Sequence, residues 1–114
     1  MSFFALLALI SLTNESVKGQ QMAKENHAIG TLLRLLRSGT YSTKKTACYC
    51  MTSIVMGNGP NQSHAIEKEA VPVLTELIND EDDDDLSNKA FECLEALGPK
   101  VIPGLMKYLN LATN

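Results

Sequence analysis

An apolar stripe that returns about every 42 residues, the spacing of a helical repeat, constrains this chain more than anything else in it. Three segments align without gaps. Residues 5–12 read Ala-Leu-Leu-Ala-Leu-Ile-Ser-Leu, residues 47–54 read Ala-Cys-Tyr-Cys-Met-Thr-Ser-Ile, and residues 90–97 read Ala-Phe-Glu-Cys-Leu-Glu-Ala-Leu. The columns are Ala5, Ala47 and Ala90; Ala8, Cys50 and Cys93; Leu9, Met51 and Leu94; Leu12, Ile54 and Leu97. A small residue leads, another follows three positions on, and large apolar residues come at four and seven. That spacing places all four on one side of a helix. A second block, residues 28–36 (Ala-Ile-Gly-Thr-Leu-Leu-Arg-Leu-Leu), lies over residues 70–78 (Ala-Val-Pro-Val-Leu-Thr-Glu-Leu-Ile). Residues 101–109 form a looser third copy of this block. Pro72 and Pro103 fall near its start, where a helix tolerates a residue lacking an N–H.

Two helical blocks per unit, repeated along the chain, describe a structure in which each unit buries its apolar face on its neighbour. The pattern predicts helices over 3–13, 15–25, 28–37, 43–56, 62–68, 70–79, 84–97 and 99–110. Asn14, Ser42 or Thr43, Asn61, and Asp84 or Asp85 are the expected N-caps. Gly39, Gly57, Gly59 and Gly98 are the expected stops and turns. No segment alternates as a strand would. At 114 residues the chain fits one domain, and its apolar share of 45% is enough for a core. With aromatics at 5% and no Trp, that core must come from Leu, Ile, Val, Met, Ala and Cys.

These blocks resemble the armadillo family, with a HEAT-like character where the last copy is shortened. The strongest stretch runs from Ile66 to Ile78 and continues from Asn88 to Gly98; Leu6 to Leu36 is a second. The resemblance implies an all-α, right-handed α-solenoid of about two and a half repeats, truncated at both ends. Residues 1–114 are then one armadillo-repeat domain, a fragment of a longer array. Residues 1–14 would be the last helix of a partial repeat, 15–57 and 58–98 two repeats, and 99–114 the start of a further, shortened one. Third helices in this family line a concave groove that binds extended segments of partner proteins. The implied function is a non-enzymatic interaction scaffold, and the alternative is a purely structural segment that self-associates through its uncapped ends or packs on neighbouring repeats.

Peptide-binding members of the family place Asn on successive third helices, and some add Trp one turn earlier. Here the Asn column reads Ser11, Ser53 and Ala96, and the Trp column Leu7, Tyr49 and Glu92. A Ser is shorter than an amide that both donates and accepts, and Ala does neither. A receptor for nuclear-localisation signals is therefore not expected. A partner surface of Lys45, Tyr49, Thr52, Ser53, Lys89 and Glu92 is. Tyr49 is its anchor, a large side chain with a polar tip, unless it only packs on the next repeat.

Other features argue against chemistry. His27 and His64 have no carboxylate or cysteine at a catalytic spacing, so no nucleophile, base and orienter converge. Cys48, Cys50 and Cys93 are an odd set with no metal-ligand spacing, which points to a reducing compartment and no metal or other cofactor. Cys50 and Cys93 read as small core fillers, and Cys48 as more exposed. Asp80 to Asp85 lacks the alternation and central Gly of a calcium loop. It reads as a solvated loop or an attraction for a basic partner. Residues 1–64 carry net charge +4 and residues 65–114 net charge −7. The small basic patch of Arg34, Arg37, Lys44 and Lys45 is no nucleic-acid footprint. The apolar run Phe3 to Ile10 lacks a positive flank and is too short to span a bilayer. Asn14-Glu15-Ser16 and Asn61-Gln62-Ser63 match a glycosylation pattern that has no meaning in a cytosolic chain. The expected location is cytoplasmic, with the nucleus as the alternative.

Overall fold

In the computed structural model, which describes residues 3–80 and 82–113, all regular structure is helical. The order is α1 (Phe3–Thr13), α2 (Val17–Glu25), α3 (Ala28–Ser38), α4 (Tyr41–Val55), α5 (Gly59–Glu67), α6 (Ala70–Ile78), α7 (Asp84–Ala96), a 3-10 turn (Pro99–Val101) and α8 (Ile102–Thr113). Each expected helix is present, with ends displaced by three residues at most.

At the starts of α2, α4 and α5 the displacements follow from the position of the caps, and at α8 from a 3-10 turn that takes residues 99–101. The N-caps of α2, α4, α5 and α7 are Ser16, Thr40, Asn58 and Asp83. Their side-chain oxygens accept from the amides of Gly19 at 3.0 Å, Thr43 at 3.2 Å, Asn61 at 3.0 Å and Leu86 at 3.1 Å. This corrects the expectation of Asn14, Ser42 or Thr43, Asn61, and Asp84 or Asp85. A capping oxygen must stand on extended backbone just before the helix and reach the amide three residues on. Asn58 can do so because Gly59 and Pro60 enter the first turn of α5, where the missing proline N–H is no loss. The caps themselves recur: Asn58 follows Ser16 by one repeat of the sequence, and Asp83 follows Thr40 in the same way. His27 and Glu69 are a third such pair. Both precede a middle helix in left-handed backbone, with φ of 63° and 70°.

Helix α4 is the centre of the molecule, flanked by α1, α3 and α7. Its stripe is buried completely: Ala47, Cys50, Met51 and Ile54 expose nothing. The same columns in α7 (Ala90, Cys93 and Leu94) and at its C-cap (Leu97) are buried as well, in a helix packed on α4 and α6. In α1 they are not: Ala5, Ala8 and Leu12 are exposed, and Leu9 is half-buried. Helix α1, which packs on α4 and α2, buries Leu6 and Thr13 instead. Cys48 is also fully buried, which corrects the expectation that it is more exposed. Position 48 faces inward because α4 has neighbours on several sides, and only a lone amphipathic helix would leave that side wet.

A polar seam runs beside the apolar core where one unit meets the next. The Gln20 amide, 2% exposed, donates to the carbonyls of Ser53 at 2.9 Å and Met56 at 3.0 Å. Its oxygen accepts from Asn58 at 3.1 Å. Buried Asn61 donates to the carbonyls of Gln20 and Ile54, both at 3.0 Å. Gln62, the counterpart of Gln20 one repeat later, donates to the Val55 and Ala96 carbonyls at 3.1 and 3.2 Å. Apart from the Gln20 carbonyl in α2, the acceptors are carbonyls at the ends of α4 and α7 that helix geometry leaves open. No buried side-chain nitrogen or oxygen among the described residues lacks a partner.

The last unit is built differently. A 3-10 turn stands where α2 and α5 stand in the units before it, entered through Gly98 at φ 78°. Lys100 in that turn donates to the Gly59 carbonyl at 3.2 Å and the Ser63 hydroxyl at 3.1 Å. Helix α8 then lies on α6, close enough that a Cβ on Gly104 would stand 3.1 Å from Val71 Cγ1.

Candidate functional site

Helices α1, α4 and α7 lie side by side, and their shared outer face carries adjoining depressions. One, of about 370 Å³, is lined by Leu7, Ile10, Ser11, Lys45, Thr46, Tyr49 and Lys89. The next, of about 190 Å³, is lined by Asn14, Tyr49, Thr52, Ser53, Met56, Lys89 and Glu92. A third, of about 450 Å³, continues over Thr52, Met56, Glu92, Glu95 and Ala96. All six residues expected from sequence border this run. Tyr49 is 53% exposed and stands between the first two depressions. About half of its surface remains open, and it shares both depressions with Lys89 of α7.

The six differ in what they have left to offer. Ser53 is 5% exposed, and its hydroxyl lies 2.9 Å from that of Thr13 and 3.3 Å from the Ile10 carbonyl. It joins α4 to α1 at the floor of the second depression. The Thr52 hydroxyl donates to the Cys48 carbonyl at 2.9 Å, within its own helix. Lys45 bridges to Asp83 at 2.9 Å and Asp85 at 3.7 Å, and Lys89 bridges to Asp85 at 3.5 Å. Hydrogen bonding to Asp83 raises the affinity of Lys45 for its proton, and hydrogen bonding to Lys45 and to the Leu86 amide holds the Asp83 carboxyl below its ordinary value. The surface therefore has an aromatic centre, two cations partly neutralised from behind, and the acids Glu92 and Glu95 beyond.

Sequence columns missed the apolar wall of the first depression, Leu7 and Ile10. The signal was present, since they are the α1 counterparts of Tyr49 and Thr52, one repeat earlier. The acidic loop also has a structural task. Asp83 caps α7, Asp85 lies in its first turn where negative charge is favourable, and both reach across to α4. Asp82 lies 3.4 Å from the Tyr41 hydroxyl, and the Lys44 ammonium lies 5.9 Å from the Tyr41 ring centroid. Part of the basic patch is thus engaged in these contacts.

All three cysteines are free and buried, and burial pushes each thiol up to about 12. His27 is exposed at the start of α3, and His64 is half-buried on α5. Among the described residues no three His, Cys, Asp or Glu side chains are grouped to hold a metal. No helix among them is long and apolar enough to cross a membrane. No protein-family model, curated protein or solved structure matches this chain.

Proposed function

We propose that the chain is an armadillo-type solenoid segment that serves as a non-enzymatic scaffold, gripping an extended segment of a partner protein along the face of α1, α4 and α7. The exposed Tyr49 between two adjoining depressions carries this reading. The recurrence of stripes, N-caps and amide seam at one common spacing supports the armadillo reading of the fold. A large aromatic with a polar tip, set among smaller contacts, is the residue type that most often dominates a protein interface. The surface chemistry favours a segment with an apolar side chain for the Leu7, Ile10 and Tyr49 wall, followed by a basic residue toward Glu92 and Glu95. The high-pKa buried thiols and the dispersed histidines support a role without covalent catalysis. A cytoplasmic or nuclear location accords with three unpaired thiols. Neither nucleic acid nor membrane is part of this reading.

A peptide array probed with the chain tests the proposal. Ligands should follow the apolar-then-basic order, and Tyr49→Ala should weaken them by about 2 kcal/mol, near thirtyfold. Glu92→Lys should cost most for the basic ligands. Equal binding by wild type and Tyr49→Ala would remove the groove from consideration.

A further inference from the structure

We propose that Asp85 occupies two lysines of the groove as a stand-in for an acidic side chain of the partner, which takes its place on binding. The proposal rests on the scaffold reading and deepens it. It adds a carboxylate to the partner segment and a built-in competitor to the site.

The first depression has an apolar side and a cationic side. Leu7, Ile10 and Tyr49 form the one, and Lys45 of α4 and Lys89 of α7 form the other. A single carboxylate serves both ammoniums. Asp85 Oδ2 lies 3.7 Å from Lys45 Nζ, and Asp85 Oδ1 lies 3.5 Å from Lys89 Nζ. Charge-assisted hydrogen bonds run at roughly 2.7–2.9 Å, so these are loose ion pairs.

Asp83 is held differently. It lies 2.9 Å from Lys45, its side chain is 16% exposed, and it also caps α7. The Asp85 side chain is 59% exposed and is not among those that line the depression. Exposed pairs of lysine and carboxylate are weak, because water competes for both ends. Asp83 therefore fixes Lys45, whereas Asp85 can turn into solvent without leaving a buried charge behind.

Charge decides what replaces it. With Asp85 turned away, the two ammoniums face Asp83 alone, and one positive charge is left over. One carboxylate balances it. Each ammonium has three donors, so it can meet an acid from the depression as well as one from α7. A phosphorylated side chain brings about −1.5 to −2 charges and is opposed by Asp83, and by Glu92 in the adjoining depression. A polyanion is opposed further, since Glu95 follows on the same face. Those acids keep the basic residue of the ligand at the far end. The partner segment thus reads acidic, apolar, basic.

Fluorescence anisotropy reads the exchange. Three sets of labelled peptides share a Leu and a later Lys and carry Glu, Gln or phosphoserine ahead of the Leu, with the spacings varied in each set. Glu peptides should bind wild type about fivefold more tightly than their Gln counterparts, and at least as tightly as the phosphoserine ones. Asp85→Asn should tighten Glu peptides about three- to tenfold and leave Gln peptides unchanged. Lys89→Gln should erase most of the preference for Glu. Asp85 and Lys89 both reach solvent, so helical circular dichroism should be unchanged in both variants. Glu peptides that bind no better than Gln peptides, an Asp85→Asn chain that tightens nothing or tightens both sets alike, or phosphoserine peptides that bind more tightly than Glu peptides would each overturn the proposal. Tyr49→Ala would still weaken every set in those cases, which leaves the scaffold reading standing. No binding in any set, or binding that ignores Tyr49, would overturn that reading and the proposal with it.

Discussion

The ammonium of Lys45 on α4 lies 2.9 Å from the carboxylate of Asp83, the residue that caps α7. One side chain thus ends a loop, starts a helix and joins two units. Asp83→Asn keeps a capping oxygen and loses the charge; Asp83→Ala loses both. At pH 7 urea denaturation should rank wild type above Asn and Asn above Ala. The Asp83 carboxyl is held below its ordinary value, so its contribution is present above the unfolded carboxylate range near ~3.9 and disappears as pH falls through the lower folded value. The gap between wild type and Asp83→Asn should therefore close on acidification. Lys45 is shifted upward, so its own contribution fades only at strongly alkaline pH. A gap that persists unchanged well below pH 3 would show that the ion pair is not its source.

Columns that look alike in sequence should differ in energy. Ile54→Val removes one methyl group from a site with no exposure and should cost about 1 kcal/mol; Leu97→Ala should cost about 2–5 kcal/mol. Leu12→Ala, in the same column but 69% exposed, should fall within about 0.5 kcal/mol of wild type. A Leu12→Ala penalty as large as that of Leu97→Ala would contradict the open face of α1.

The amide seam gives a second ranked pair. Gln20→Ala strands the buried carbonyl of Ser53 and opens the part-buried carbonyl of Met56, and should cost about 2–3 kcal/mol. Gln62→Ala removes the matching bonds from a half-buried site where water can replace them, and should cost about 1 kcal/mol. Chemical denaturation of the two variants under one set of conditions reads the difference directly. The reverse order would mean that burial does not set the strength of the seam.

The cysteines supply a test of burial that needs no mutation. With their thiols pushed up to about 12, Cys48, Cys50 and Cys93 should resist a disulfide reagent in the native state at pH 8 and react together on unfolding. Because the folded thiols hold their protons more tightly than unfolded thiols near ~8.5, stability should be intact below that value and fall as pH rises from about 9 toward 12. Fast labelling of a single thiol in folded protein would refute this.

Periodic burial made the helices legible from sequence. Ala47, Cys50, Met51 and Ile54 carry their own spacing, and no neighbour is needed to read it. The caps were harder, because each boundary offers several oxygens. Residues 38 to 43 alone include two Ser and two Thr, and only backbone geometry chooses Thr40. Ser53 was legible as a column and not as a floor, since its burial depends on Thr13, forty residues away. The bridges from Lys45 to Asp83 and Asp85 span a similar distance, so the acidic run reads as plain solvated loop until the fold brings α4 beside it. Tyr49 was legible as the one large polar-tipped side chain in its column, and it stands 53% exposed on α4.

The tight turn at Pro99–Val101 shows that spacing between units is adjustable. Ala28 and Ala70 open successive middle blocks one full repeat apart, whereas Val101 follows Ala70 by most of a repeat only, yet α8 still lands on α6. At this one place a 3-10 turn does the connecting that a short helix does ahead of α3 and α6. Lengthening this turn by a few polar residues should leave the framework standing, which makes it the natural place to insert a tag or graft a loop.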